Sequence, residues 1–283
     1  MTTIDRAEHV RIRLRLVRSA LALTTIVALL FGAASASARS DGDLSFKPEL
    51  DTGLLGEGRQ AYRERSDPAR ARDAYRIFKQ HYEANPDDPV AAWHLSMACY
   101  FVGIRVEPEP ALRKAIHQEG RDIADRALTV DPGCGPCHLF SAINHALWAD
   151  QVGIFRVIVG LPLVKSHLDR SAHIDPTFAG AAALRTQATI ADRLPRMFGG
   201  GRGKAREFIE QAIAVAPEEP LNYELLVNLL MTRYNDRDRA LAVARRALAI
   251  PVPGPEYVES RDSLAYMQRF VDAASTVVSH SGR

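Results

Sequence analysis

Apolar and small residues recur with helical spacing along most of the chain. Each of five amphipathic segments is followed by a proline, and the intervals between these prolines are 46, 44, 41 and 34 residues. The five are Pro86, Pro132, Pro176, Pro217 and Pro251. The positions four and eight residues before each proline are apolar or small. Such positions lie on one face of an α-helix, so each segment is expected to form a helix with one buried face.

Partner helices are expected between these stops, because an Asx-Pro pair such as Asn85-Pro86 ends one helix before the next begins. The pattern therefore predicts five helical hairpins. Their first helices are predicted at about 54–65, 89–103, 134–150, 178–192 and 220–234. Their second helices are predicted at about 67–84, 111–130, 164–174, 203–215 and 237–249. A final helix at about 256–275 is expected to cap the stack, and no stretch alternates as a strand would.

The last interval between prolines, 34 residues, equals the length of a tetratricopeptide repeat. A hairpin of two helices cannot bury its apolar face alone, and stacking of hairpins supplies the missing burial. The predicted fold is therefore an all-α, tetratricopeptide-like solenoid of five hairpins plus a C-terminal capping helix. It is expected to occupy residues 51–283, after a linker at 39–50.

The longest insertion lies between the two helices of the third hairpin, at residues 151–163, and it is strongly apolar. Apolar stretches usually pack, so we expect additional core here. The alternative is that the insertion lines a cavity for an apolar ligand.

The N-terminus has the pattern of a secretory signal peptide. Four arginines between Arg11 and Arg18 precede an apolar run from Ala20 to Phe31, and small residues follow up to Ala38. This order predicts a signal peptide at residues 1–38 with cleavage after Ala38, and hence an exported, periplasmic protein. The apolar run is short for a membrane span, so no stable membrane insertion is expected after cleavage. An uncleaved N-terminal anchor is the alternative.

Charge changes little in this picture. The net charge of +2 becomes −1 without residues 1–38, since 31 basic and 32 acidic residues remain. A nearly neutral chain gives no electrostatic reason to expect a nucleic-acid partner.

One motif could carry chemistry, the sequence Cys134-Gly135-Pro136-Cys137-His138. Its C-x-x-C-H spacing is the attachment pattern of c-type haem, in which two thiols bond the haem and the histidine becomes an axial ligand. The Cys-Gly-Pro-Cys part also matches a thioredoxin-type redox motif, but that interpretation needs a βαβ context. A local disulfide or structural thiols are favoured, because the repeat pattern accounts for the fold without a cofactor. Cys99 would be a competing disulfide partner or a small buried core residue.

No other motif indicates catalysis or metal binding. The glycine-rich run 199–203 lacks the spacing of a phosphate-binding loop and is expected to be a turn. The histidines follow no zinc signature, and no nucleophile, base and acid occur in a known catalytic order. Carboxylate pairs such as Asp87-Asp88 and Glu218-Glu219 follow proline stops, where acidic residues favour helix N-termini. The sequence therefore predicts no catalytic residue, no metal site and no enzyme.

The stretch from Asp131 to Pro251 resembles the periplasmic T-component family associated with TRAP transporters. The resemblance rests on the segment from Leu194 to Ala205, with its Leu-Pro, Gly-Gly and Lys-Ala pairs. The helix start at Leu221-Asn222-Tyr223 and the one at Arg239-Ala240-Leu241 fit the same family. The resemblance implies a solenoid that can oligomerise, contacts a solute-binding subunit and encloses an apolar pore. Members of this family are often lipoproteins, whereas no cysteine stands near the predicted cleavage site here.

These observations predict a periplasmic binding scaffold that engages a partner protein or an apolar ligand and is associated with a transporter. The alternative is an electron-transfer protein that carries haem c on Cys134, Cys137 and His138.

Overall fold

The structure, a computed structural model, describes residues 52–281. The predicted signal peptide (1–38) and linker (39–50) lie outside this range. The described residues form eleven α-helices and no strand. The helices are α1 (Gly53–Arg63), α2 (Pro68–Ala84), α3 (Pro89–Arg105), α4 (Pro110–Val130), α5 (Gly135–Val152), α6 (Ile154–Ile174), α7 (Phe178–Arg193), α8 (Arg202–Val215), α9 (Pro220–Leu229), α10 (Arg237–Leu248) and α11 (Val258–Ser281). A 3₁₀ turn, Arg196–Phe198, precedes α8, and a π-helical turn, Leu230–Tyr234, continues α9.

The prediction of an all-α stack of five hairpins is confirmed, and each predicted helix corresponds to one of the eleven. The main difference is at the third hairpin, where α6 begins at Ile154 rather than near residue 164. The insertion is therefore ten further residues of helix. The glycine-rich run 199–203 forms the expected turn, with Gly199 and Gly201 at positive φ.

Acidic side chains and prolines begin several of the helices. The carboxyl groups of Asp67, Asp88 and Glu219 each accept a hydrogen bond from the amide two residues further on. A proline follows each of them at the first helical position, where its missing N–H costs nothing. Asp88 and Glu219, which follow proline stops, thus lie at helix N-termini as predicted, and the structure shows that they also cap them.

The first helix of each hairpin lies inside the stack and the second lies outside. Every residue of α3 from Ala91 to Gly103 is buried, and α5 and α7 are buried almost as completely. The outer helices α2 and α10 bury only one stripe, such as Ala240, Ala244 and Ala247 in α10. The core therefore runs through the inner helices, and surfaces for other molecules must come mainly from the outer ones.

Helix α11 continues the inner layer and caps it. Ser260 donates a hydrogen bond to Glu219 at the start of α9 (3.1 Å), and Tyr266 donates one to Asn228 (2.7 Å). Residue numbers rise together in these two contacts, so α11 runs parallel to α9, as successive inner helices of a solenoid do. Met267 of α11 is completely buried.

The start of α11 also contacts the first hairpin. Arg65, in the turn between α1 and α2, forms an ion pair with Glu259, and both side chains are almost fully buried. Arg65 also donates a hydrogen bond to the carbonyl oxygen of Glu256 (2.8 Å). The stack thus closes on itself, because residues 194 positions apart in the sequence meet directly.

The chain takes an unusual turn where α7 begins. Ala179, Gly180 and Ala181 have φ values of 50°, 64° and 63°, in the left-handed region that is costly for alanine. The buried guanidinium of Arg185 donates hydrogen bonds to the carbonyl oxygens of Gly180 (2.8 Å) and Ala179 (3.2 Å). We attribute the retention of this backbone conformation to those bonds.

Candidate functional site

The Cys-x-x-Cys-His motif lies at the N-terminus of α5. Cys134 and Cys137 are joined by a disulfide, and the sulfur of Cys134 also accepts a hydrogen bond from the amide of Cys137 (3.1 Å). Cys137 is fully buried, and Cys99 is a buried free cysteine on α3. The disulfide therefore crosslinks the first turn of the inner helix α5, and the sulfur of Cys134 caps that turn.

His138 uses both ring nitrogens within the protein. Its Nε2 donates a hydrogen bond to the carbonyl oxygen of Pro132 (3.1 Å), so its Nδ1 is left to accept from Nδ1 of His167 on α6 (2.7 Å). Burial lowers the pKa of both histidines, which favours this neutral pair. An axial haem ligand would have to give up one of these hydrogen bonds, and thioether bonds would need both thiols of the disulfide.

We predict that the protein forms the disulfide and carries no haem when it is exported together with the cytochrome c maturation machinery. Thiol titration of the unfolded, unreduced protein should then count one free thiol, Cys99, against three after reduction. The absorption spectrum should lack a Soret band after acid-acetone extraction. A Soret band that survives extraction would establish the haem alternative instead.

His145 fixes the contact between α5 and α6 further along. Its ring lies against Gly160 of α6, where a Cβ atom would come within 2.6 Å of His145 Nε2. Only glycine allows this close approach, so the pair sets which side of α6 faces the core. Among the described residues, no group of three or more His, Cys, Asp or Glu side chains could hold a metal ion.

The opposite side of α6 is exposed, and it is apolar. The relative exposure of Phe155 is 82% and that of Val159 is 73%. Ile154, Ile158 and Leu163 are also exposed. The prediction that the insertion 151–163 forms additional core is therefore wrong. The insertion extends an outer helix past its neighbours, so only Gly160 and Val164 are buried in this half of the helix.

The turn before α8 enlarges this apolar surface. Nζ of Lys165, on α6, donates a hydrogen bond to the carbonyl oxygen of Phe198 (2.9 Å), which holds the turn Arg196–Phe198 beside α6. Met197 is 82% exposed, and Phe198 is about half exposed. We call the exposed apolar side chains of both segments the α6 patch: Ile154, Phe155, Ile158, Val159, Leu163, Met197 and Phe198. Large contiguous apolar surfaces are uncommon on proteins that bind nothing.

A second concave surface lies between the outer helices α8 and α10. This outer groove has a volume of about 400 Å³. Ile213, Leu226 and Val243 form its apolar floor and walls. An ion pair between Glu210 and Arg239 (3.3 Å) closes one end. Arg246, which stacks over the ring of Tyr223, stands at the other end.

The sequence could not have identified either surface completely. The apolar insertion was a local signal for the α6 patch, but its exposure depends on the neighbours of α6. The outer groove had no signal, because its lining residues have the spacing of ordinary core positions. Across residues 52–281, no helix has both the length and the apolar character needed to cross a membrane.

Comparison with known proteins supports the fold. The family model described as "RMD1-3: Regulator of microtubule dynamics protein 1-3" matches residues 54–185, from α1 into α7. No curated protein matches the chain. The thermophilic tetratricopeptide protein TTC0263 of Thermus thermophilus aligns with 76% of this chain and 99% of its own, at 18% identity and a TM-score of 0.56. Yeast Tom70 aligns with 89% of this chain and 70% of its own, at 12% identity and a TM-score of 0.30. The likeness to TTC0263 confirms that the chain has a tetratricopeptide-like fold.

Proposed function

We propose that this protein is an exported scaffold that binds a partner protein through the outer groove. The observation that carries the proposal is the groove itself, which combines an apolar floor with a charged rim on two successive outer helices. A segment of a partner can bury an apolar side chain in such a groove, which is how helical ligands are commonly bound.

The rim defines the chemistry of that partner segment. From Glu210 to Pro217 the groove follows the end of α8 and the first residues after it, over roughly 10 Å. The guanidinium groups of Arg239 and Arg246 flank it, and both side chains are exposed. A short segment with a central apolar residue and an acidic residue at one end fits this arrangement.

We propose further that the partner is the solute-binding subunit of a TRAP transporter, and that the scaffold works in the periplasm. Two observations support this assignment: the signal pattern at 1–38, and the resemblance of residues 131–251 to the T-component family.

The proposal predicts that Val243→Asp weakens binding of the solute-binding subunit from the same organism at least about tenfold, since a buried valine contributes about 1.5 kcal/mol or more. Binding would be measured by calorimetry with the purified exported protein. Leu112→Asp is the matched control, because Leu112 is an exposed apolar residue on the outer helix α4, away from the groove. Equal affinity of Val243→Asp and wild type, or no binding by the wild type, would refute the proposal.

A further inference from the structure

We infer that the α6 patch binds the surface of an anionic lipid bilayer. This surface is separate from the outer groove, so the inference goes beyond the proposed scaffold function and does not depend on it.

The patch has the shape of an interfacial helix face. Phe155 and Val159 lie four residues apart, and Ile154 and Ile158 repeat that spacing beside them, so the exposed apolar side chains form a band along α6. The band covers ten residues, or about 15 Å of helix. Interfacial helices bury such a face about 5–10 Å deep, at the boundary between headgroups and acyl chains.

The Arg196–Phe198 turn widens the band at its C-terminal end. Met197 is as exposed as Phe155, and the bond from Lys165 to Phe198 fixes the turn beside the helix. Large apolar side chains thus project from two elements that are held together, which is more than a single amphipathic helix offers.

The two chain segments that carry the patch are rich in basic residues, and acidic residues stand only just outside their ends, at Asp150, Asp169, Asp192 and Glu207. Residues 151–168 and 193–206 contain seven Lys or Arg and no Asp or Glu. Some of these charges are used within the protein, since Lys204 and Arg206 pair with Glu207 and Glu210. Arg156 and Arg196 are exposed beside the apolar side chains, and neither forms a salt bridge among the described residues. Basic residues beside an exposed apolar face match the negative surface potential of anionic lipids.

The same charges argue against a second copy of the chain as the occupant. A symmetric contact through the patch would bring Arg156 and Arg196 of both copies close together without acidic partners, and like charges at an interface are unfavourable. A bilayer supplies both an apolar layer and anionic headgroups in one surface. Peripheral binding of this kind does not require any helix to cross the membrane.

The test places a tryptophan in the patch. Phe155→Trp would be made in the full chain, with Leu112→Trp as the matched control. The native Trp93 and Trp148 give the same background in both. Emission would be recorded with vesicles of phosphatidylcholine containing 30% phosphatidylglycerol, with pure phosphatidylcholine vesicles, and with brominated lipids. A tryptophan at position 155 reports on lipid contact of the patch itself. Its emission therefore distinguishes the patch from the apolar run at 20–31, which is able to attach the chain to vesicles by itself.

We expect the emission of Phe155→Trp to shift to the blue and to be quenched by brominated lipid on anionic vesicles only, while Leu112→Trp does not change. Raising the salt from about 0.1 M to 1 M should weaken the effect, because the screening length falls from about 10 Å to 3 Å. Phe155→Asp with Val159→Asp in the same chain should lower vesicle partitioning at least about tenfold, as measured by sedimentation.

Three results would overturn the inference. The first is unchanged emission of Phe155→Trp on anionic vesicles. The second is a blue-shifted emission without lipid that rises with protein concentration, which would show that a second copy covers the patch. The third is a blue-shifted emission in a lipid-free monomer, which would show that another segment of this chain covers it. Failure of the Val243→Asp experiment would leave the vesicle result unaffected.

Discussion

Replacing Arg65 with methionine is expected to lower the free energy of unfolding by about 3–5 kcal/mol, among the largest effects of any single substitution in the chain. The change leaves the carboxylate of Glu259 buried without its counter-charge, since its side chain is only 1% exposed. It also removes the hydrogen bonds from Arg65 to the carbonyl oxygens of Tyr62 (3.0 Å) and Glu256 (2.8 Å). Urea unfolding followed by circular dichroism would measure the loss.

Two matched variants test whether burial of the charge is the cause. Arg65→Met combined with Glu259→Met should recover most of the stability, because a buried ion pair replaced by apolar residues is often neutral. Arg105→Met removes a more exposed pair, with Asp262, and should cost about 1 kcal/mol or less. If Arg65→Met were as stable as Arg105→Met, the buried ion pair between Arg65 and Glu259 would not stabilise the fold.

Replacing Arg185 with methionine is expected to cost about 3 kcal/mol or more, because buried groups that lose a charged hydrogen-bond partner carry a penalty of about 1–3 kcal/mol each. Arg185 is almost fully buried and donates hydrogen bonds to the carbonyl oxygens of Ala179 and Gly180. It also donates to the side-chain oxygen of Asn222 on α9 (2.8 Å). The substitution would remove all three bonds, two of them from the left-handed turn at 179–181 and one from Asn222. Amide exchange should show the turn opening.

The titration of Glu219 provides a second test of the role of Arg185. Burial raises its pKa to about 8, and the positive charge of Arg185 opposes that rise. Without Arg185, the pKa of Glu219 should rise further. A carboxyl group with a raised pKa loses stabilising free energy as the pH increases through its folded pKa. Arg185→Lys keeps the positive charge beside Glu219, so the unfolding free energy of this variant should depend on pH as that of wild type does. An unfolding free energy of Arg185→Met equal to that of wild type would contradict the proposed role of Arg185.

The helical hairpins were predictable because their signals are local. Proline after Asn85 or Asp131, and apolar residues at spacings of four, specify where helices end and which face is buried, whatever the rest of the chain does. The N-caps at Asp88 and Glu219 could be predicted for the same reason.

The rest could not be predicted because it depends on contacts between distant parts of the chain. Nothing near Arg65 indicates Glu259, which lies 194 residues away. The partner of His138 is His167, on a different helix. The apolar insertion at 151–163 was predicted to be core, because the hydrophobicity of a segment does not show whether another helix packs against it. Alanine at 179 and 181 gave no signal of a left-handed turn.

The inner helices hold the stack together, and we propose that two outer surfaces, the outer groove and the α6 patch, bind other molecules. Photo-crosslinking in intact cells tests it most directly, with a diazirine amino acid placed at position 155, 243 or 112 in turn. We expect lipid adducts from position 155, a crosslink to a solute-binding protein from position 243, and neither from position 112. The same products at all three positions, or no products at 155 and 243, would contradict it.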